Sequence, residues 1–193
     1  MKQLCDQQDY ILSIDPSCLP RFDPHITLIG GVEISGCNIA HMKFIDEPEV
    51  IHDAEAAEVV LHRLRSAFWG FGEVTCEFVE EKGVFACINE NNAVQWNQSC
   101  VAVVKKTDSF MKAMKVADET LFGSTSLPVE RHFRPPISEP HYSFAYGNNV
   151  ETTKRVKCPR SFTCSEIALW WTDPPELDAV ASEWKLIGKI SMN

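Results

Sequence analysis

Two short stretches of the sequence share one pattern of residues that could do chemistry. Residues 23–31 read DPHITLIGG, and residues 139–147 read EPHYSFAYG. Each contains an acid, a proline, a histidine, any residue, a hydroxyl residue and a hydrophobic residue in that order, and each ends in glycine. Proline is tolerated at the first residue of a strand, and side chains along a strand alternate between its two faces. We therefore expect two strands, each presenting an imidazole and a hydroxyl side by side.

The four residues concerned are His25 and Thr27 in the first motif and His141 and Ser143 in the second. A hydrolysis needs a base for the water and an acid for the leaving oxygen, and hydroxyl groups can donate hydrogen bonds to the charge on phosphoryl oxygens. Histidine suits both proton-transfer roles because its ordinary pKa lies near neutrality. We predict that the two histidines are catalytic and that the two hydroxyls bind the phosphate.

The other histidines give no sign of a metal site. Their spacing does not match that of metal ligands, and no cluster of acidic residues compensates for this. We therefore expect chemistry without a metal or any other cofactor. The remaining histidines are His41, His52, His62 and His132.

Tryptophans are the candidates for recognising a base. Trp96 follows a predicted turn and lies two residues before Gln98, so an aromatic face and an amide are available together to stack on a base and hydrogen-bond to it. We predict that Trp96 and Gln98 bind substrate. We expect Trp170, Trp171 and Trp184 to be core residues instead.

Composition indicates a folded protein with a substantial core. The chain has 193 residues, of which 45% are hydrophobic, so residues 1–193 can bury a core as one domain or as two small lobes. It contains no apolar run of about 18 residues, and its first residues lack the apolar segment of a secretory signal. Its 8 cysteines include no CxxC pair, so we expect free thiols. These features predict a cytoplasmic protein that does not associate with membranes.

The charge balance bears on the size of a substrate. The net charge is -9, from 18 basic and 27 acidic residues, which disfavours binding along a long phosphate backbone. Basic residues cluster locally within residues 105–106, 131–134 and 154–160. Any nucleic-acid substrate should therefore be a small nucleotide, or be bound only at the end of an RNA, and we expect no long nucleic acid.

Two amphipathic helices are predicted. Asp53 is expected to cap the first, which the glycines at positions 70 and 72 end. Thr107 or Asp108 is expected to cap the second, which ends at Gly123. The expected buried stripes are Ala57, Val60, Leu61, Leu64 and Phe68 in the first helix, and Phe110, Met111, Met114, Ala117 and Leu121 in the second.

Strands are predicted in most of the remaining chain. Alternation of apolar residues favours strands at residues 10–14, 74–78, 84–88, 96–105, 162–171 and 183–191, in addition to the two motif strands. Residues 96–105 are apolar on both faces, which is typical of a central strand. Residues 32–51 and 124–138 are expected to be loops.

The paired motifs resemble those of the 2H phosphoesterase superfamily, in which H-x-[ST]-hydrophobe occurs twice. The surrounding residues are most similar to the branch of eukaryotic 2',3'-cyclic phosphodiesterases, through RFDPHITL, EPHYSFAYG, IALWWT and EWKLIGKI. This resemblance extends over most of residues 10–190. A single HxT would carry little weight, whereas two copies in matching frames are a stronger signal.

The resemblance implies a bilobal α+β fold, with two antiparallel sheets around a central cleft and helices outside. It implies a monomeric hydrolase that acts in RNA processing on a 2',3'-cyclic phosphate of a small nucleotide, or on the 1'',2''-cyclic phosphate of ADP-ribose. It further implies that His141 activates water and that His25 protonates the 3' oxygen, which leaves a 2'-phosphate.

Two alternatives stay open at this point. The same four residues could cleave 2'-5' linked oligoadenylates. A non-catalytic module on the same scaffold could bind nucleotides or RNA ends. Histidine and hydroxyl are intact in both motifs, which favours an enzyme, because a binding protein has no need of two titrating groups.

Overall fold

The fold is described from a computed structural model of the chain. It describes residues 25–29, 32–34, 49–88, 91, 100–123, 129–131, 139–146, 156–157, 160–171 and 185–193. The expected strand at 10–14 and the candidate substrate-binding residues Trp96 and Gln98 lie outside these ranges.

The first helix, α1, spans Glu49–Phe68. All five residues of its predicted apolar stripe are at most 5% exposed, so the predicted face is confirmed. Gly70 and Gly72 follow it with φ of 66° and 89°, a left-handed conformation that glycine adopts without strain. The predicted cap at Asp53 is wrong, because the helix begins four residues earlier, directly after Pro48 in the sequence. Asp53 therefore lies inside the helix, where the backbone N–H groups that a cap would bind already have carbonyl partners one turn earlier.

The second helix, α2, spans Asp108–Phe122. Its cap is Thr107, whose Oγ1 accepts a hydrogen bond from the backbone N–H of Phe110 at 3.3 Å. Of the two predicted caps, Thr107 and Asp108, the first is therefore confirmed. Its fully buried residues recur at helical spacing, whereas Met111 is 41% exposed. The prediction of Met111 as a core residue is therefore wrong, since it follows Phe110 by one position and is turned about 100° away from the buried face. The buried residues of α2 are Phe110, Ala113, Ala117 and Leu121.

The strands of the described residues pair antiparallel. In chain order they are β1 (Val32–Ile34), β2 (Val74–Glu77), β3 (Val84–Phe85), β4 (Cys100–Val103), β5 (Val129–Arg131), β6 (His141–Ala145), β7 (Ser161–Cys164), β8 (Glu166–Trp171) and β9 (Lys185–Ser191). The pairs are β1 with β5, β2 with β7, and β8 with β9, and a three-stranded sheet has the order β3-β4-β6.

Two isolated bridges extend this pairing. Phe78, directly after β2, pairs with Val104, directly after β4. Ile26 in the first motif pairs with Tyr142 in β6. The strand β6 therefore lies between β4 on one side and the first motif on the other, and the predicted central position of β4 is confirmed by its place between β3 and β6.

Several strands differ from their predicted extent. The segments expected to be loops at residues 32–51 and 124–138 contain β1 and β5, which pair with each other in the register Val32↔Arg131. The expected strand at residues 84–88 is only two residues long in β3, and the one at 162–171 is divided into β7 and β8. Within residues 25–29, the part of the first motif that the structure describes, Ile26 forms one bridge and residues 28–29 bend, so the predicted strand is not continuous there.

The core lies between the two helices and the sheets. Tyr142 is fully buried and Phe144 is 1% exposed, which confirms that both face away from their motif partners into the core. The described residues thus form a mixed α+β structure of antiparallel sheets packed against two helices. No helix among them is long and apolar enough to cross a membrane.

Candidate functional site

The two histidine motifs lie next to each other. Ile26 and Tyr142 form an antiparallel bridge, and this register puts His25 level with Ser143 and Thr27 level with His141. Residues directly opposite in an antiparallel pair have Cβ atoms about 4.5–5.5 Å apart. Each imidazole is therefore next to the hydroxyl residue of the other motif.

The four motif residues share one face. Ile26 and Leu28 pack against the hydrophobic core, and Tyr142 and Phe144 belong to it. Because side chains along extended backbone alternate between faces, the histidines and hydroxyls lie on the face directed away from that core. The histidines are diagonal neighbours, a relation in which Cα atoms are about 7–8 Å apart, and this spacing leaves room for a phosphate between the two rings.

The second motif is held on an inner strand. His141 pairs with Val103, and Ser143 pairs with Val101. The backbone N–H of Val104 also donates to the carbonyl of Pro140 at 2.8 Å, which extends the ladder to the residue before His141. The ladder therefore fixes the backbone of the second motif from the side opposite to the first motif.

His141 has one ring nitrogen assigned by its hydrogen bond. Its Nδ1 lies 3.1 Å from the backbone carbonyl oxygen of Glu139, and a carbonyl can only accept, so Nδ1 carries the proton. In the neutral ring Nε2 is then the basic nitrogen. Burial lowers the pKa of His141, and the bond to Glu139 raises it by less. The neutral form, which can accept a proton, is therefore favoured near pH 7.

Glu139 connects this histidine to a second part of the chain. Its carboxylate pairs with Lys82, which ends the short 3-10 helix Glu80–Lys82. The hydrogen bond from Lys82 and the charges of Lys82 and Lys106 lower the pKa of the Glu139 carboxyl. The acid of the motif is thus ionised and tied to a lysine while its backbone carbonyl orients the imidazole.

Sequence reasoning did not find the roles of Glu139 and Lys82. The acid was visible as the first residue of the motif, but the part played by its carbonyl depends on how the chain turns before β6. Lys82 lies 57 positions from Glu139, and no local signal connects the two.

The two hydroxyl residues differ in their surroundings. Ser143 is 4% exposed, whereas Thr27 is exposed to solvent, and both histidines are partly buried. The difference follows from position, since Ser143 lies on an inner strand and Thr27 lies next to the bridge at Ile26. Thr27 is therefore accessible to water.

The other expected features of the site are only partly described. Trp170 is partly buried, and the side chains of Trp171 and Trp184 lie outside the described part. His62 is exposed on α1 and is distant in sequence from both motifs. In the ranges that the structure describes, no group of three or more His, Cys, Asp or Glu side chains could hold a metal ion.

The sequence matches no model of a protein family, and no curated protein matches it. The motif residues and their geometry therefore carry the functional assignment.

Proposed function

We propose that the protein is a metal-independent phosphodiesterase that hydrolyses 2',3'-cyclic phosphates of small nucleotides, or the 1'',2''-cyclic phosphate of ADP-ribose. The observation that carries the proposal is the antiparallel bridge between Ile26 and Tyr142. This bridge brings into one register two imidazoles and two hydroxyls that are far apart in sequence. A chance pair of HxT-like tripeptides has no reason to meet in this way.

His141 is the general base of the proposed reaction. Its Nδ1–H bond to the Glu139 carbonyl leaves Nε2 as the basic nitrogen, and burial lowers its pKa, so the ring is neutral near pH 7. Nε2 takes a proton from water as the water oxygen attacks phosphorus. The bond between phosphorus and the 3' oxygen breaks, and the ester to the 2' oxygen stays.

His25 is the general acid. It donates a proton to the departing 3' oxygen, so the product carries a 2'-phosphate and a free 3'-hydroxyl. Thr27 and Ser143 donate hydrogen bonds to the non-bridging phosphoryl oxygens, where negative charge is concentrated. After each turnover His141 holds one proton more and His25 one fewer, and exchange with solvent restores both.

The wider proposal includes the architecture implied by the motif resemblance. It is a bilobal 2H phosphoesterase fold with the motifs at a central cleft, formed by a monomer in the cytoplasm. Trp96 and Gln98 contact the base in this scheme. The charge of -9 supports a small substrate or an RNA end over a long nucleic acid.

The test is a substrate panel assayed with the full chain in the presence of EDTA. The panel contains the four cyclic mononucleotides, an RNA with a 2',3'-cyclic phosphate end, the cyclic phosphate of ADP-ribose, and a 2'-5' linked oligoadenylate. We expect turnover of at least one cyclic phosphate, with phosphorus NMR showing a 2'-phosphate product. Turnover of the oligoadenylate alone would assign the same residues to 2'-5' cleavage.

The matched control is the His25→Ala/His141→Ala protein, purified in the same way. Its inactivity would exclude a contaminating nuclease as the source of turnover. Loss of all activity in EDTA, with recovery on added zinc or manganese, would contradict the proposal. Binding of cyclic nucleotides without turnover of any member of the panel would favour the non-catalytic module.

A further inference from the structure

Two cysteines outside the candidate site lie on neighbouring strands. In the antiparallel register of β2 and β7, Cys76 is opposite Phe162 and Cys164 is opposite Val74. The cysteines are therefore diagonal neighbours. Both pack on the hydrophobic core, whereas Thr75 and Thr163 on the other face are exposed. The alternation of the two strands thus directs both thiols to the same side.

The two thiols are in contact but are not equivalent. Both are free, and they share a hydrogen bond that raises the pKa of Cys76 and lowers the pKa of Cys164. Cys164 is therefore the easier of the two thiols to ionise. Cys164 is also the more accessible of the two thiols to solvent. Cys76 is 2% exposed, whereas Cys164 at the end of β7 is only partly buried.

We propose that Cys76 and Cys164 form an oxidisable dithiol. It is converted to a reversible disulfide when the protein reacts with a low-molecular-weight disulfide such as oxidised glutathione. The Cys164 thiolate attacks one sulfur of glutathione disulfide, forms a mixed disulfide and releases one glutathione thiolate. Cys76 then loses its proton to solvent and attacks the Cys164 sulfur, which releases the second glutathione. Two protein thiols are oxidised, and one glutathione disulfide is reduced to two thiols.

The spacing of the pair makes the bond reversible. Diagonal residues of an antiparallel pair have Cα atoms about 7–8 Å apart, whereas a relaxed disulfide joins Cα atoms about 4.4–6.8 Å apart. Closure therefore needs a small shift of β7 against β2, and a bond formed under such strain is reduced more easily than a structural one. A disulfide between Cys76 and Cys164 would therefore be easier to reduce than a disulfide that stabilises the fold permanently.

Tryptic peptides allow a direct test on the full chain. Residues 66–82 contain Cys76 as their single cysteine, and residues 161–185 contain only Cys164. The protein is treated with oxidised glutathione, free thiols are blocked with iodoacetamide, and the digest is analysed by mass spectrometry without reduction. We expect the two peptides joined with the loss of two hydrogens, and their separation after treatment with dithiothreitol.

The peptide of residues 83–105, which contains Cys87 and Cys100, is the internal control. Both cysteines are buried, with Cys87 8% and Cys100 0% exposed, so burial alone does not distinguish them from Cys76. We expect neither to be joined to Cys76 or Cys164. Recovery of Cys76 and Cys164 as blocked thiols at every glutathione concentration would overturn the proposal, as would cross-links to other cysteines that are as frequent as the expected one.

Single variants test the order of attack. In Cys76→Ala the mixed disulfide on Cys164 cannot be resolved, so we expect glutathione to stay attached there. In Cys164→Ala we expect Cys76 to stay unmodified because glutathione cannot reach it in the folded protein. Glutathione on Cys76 in that variant, with a far-ultraviolet circular dichroism spectrum unchanged from the wild type, would contradict the assigned roles.

Discussion

At the scale of single residues, the histidines of the two motifs are alike in sequence but are held differently. His141 lies on an inner strand with its Nδ1–H bound to a carbonyl, whereas the described part of the first motif, residues 25–29, bridges to that strand at Ile26. A base must present one fixed nitrogen to water, and the position of His141 suits this role.

The first prediction concerns these two side chains. His25→Ala and His141→Ala should each lower kcat by about 10²- to 10⁴-fold, the usual contribution of general acid-base catalysis. The double variant should be little worse than either single one, because loss of one proton carrier already disables the concerted route. Steady-state kinetics on the best cyclic phosphate of the panel measures all three.

His62→Ala is the matched control for this prediction. The residue is exposed on α1, so we expect its replacement to leave kcat and KM unchanged. Near-normal turnover in both motif variants would instead show that the repeat is structural and that the chemistry lies elsewhere.

The second prediction concerns pH. Burial lowers the pKa of His141 from its ordinary value of 6.5, and the base works only when neutral. The acid limb of kcat/KM should therefore have its midpoint below pH 6.5, and His25 should set the alkaline limb. The residual activity of His25→Ala should keep the acid limb, whereas that of His141→Ala should lose it. An acid limb above pH 7 in the wild type would contradict the assignment.

The same pKa shift affects stability. Between the lowered folded pKa and 6.5, the unfolded chain binds more protons at His141 than the folded protein does. The free energy of unfolding therefore rises with pH in that window. This contribution of His141 to the free energy of unfolding is fully present above pH 6.5. It is lost as the pH falls through the pKa that His141 has in the folded protein.

At the scale of elements, the packing of β9 against α1 depends on the absence of a side chain at Gly188. A Cβ built at that position would lie 2.4 Å from Cδ2 of Leu61, and Leu61 is itself 0% exposed. A larger residue at position 188 would therefore force the buried Leu61 side chain to shift.

The third prediction follows from this contact. Gly188→Ala should lower the free energy of unfolding by about 1–3 kcal/mol, the usual cost of overpacking a core, as measured by urea denaturation. Leu61→Ala makes room for the new methyl group, so the double variant should be less destabilised than the sum of the single ones. Strict additivity would show that Gly188 and Leu61 do not compete for the same space.

The elements differ in how far the sequence could predict them. The buried face of α1 was predictable because Val60, Leu64 and Phe68 recur with the period of a helix, which is a local property. The strands β1 and β5 are three residues long, too short for alternation to be visible, and they exist because they pair with each other over a long separation in the chain.

The candidate site was also predictable from the sequence only in part. The histidines and hydroxyls were predictable from a repeated motif, and their shared face followed from alternation along β6. Their register could not be predicted, because the bridge from Ile26 to Tyr142 depends on how the rest of the chain packs. The ion pair of Lys82 with Glu139 could not be predicted either, because it depends on the position of a turn.

At the scale of the whole molecule, charge limits what can approach the site. The chain carries -9, and its lysines near the second motif are already engaged in part, since Lys82 pairs with Glu139 and Lys105 with Glu77 at 3.3 Å. A long RNA gains affinity by releasing counterions along many phosphates, and an acidic surface opposes such a gain. We therefore expect the protein to contact a substrate at its end.

The fourth prediction is that RNA length has no effect on kcat/KM. A cyclic mononucleotide and a 30-nucleotide RNA ending in the same cyclic nucleotide should be hydrolysed with similar kcat/KM values. Each phosphate contact to a single strand contributes about -0.7 to the slope of log affinity against log salt. With one or two contacts we expect a slope for kcat/KM no steeper than about -1.4.

Direct binding separates end recognition from backbone binding. With His141→Ala, which leaves the substrate intact, fluorescence anisotropy should detect the RNA that ends in a cyclic phosphate but not the same RNA ending in a hydroxyl. Equal affinity for both ends, or a kcat/KM that rises with length and falls steeply with salt, would mean that the protein follows the backbone. A basic surface would then have to exist despite the net charge, and the second motif would be one part of a longer RNA path.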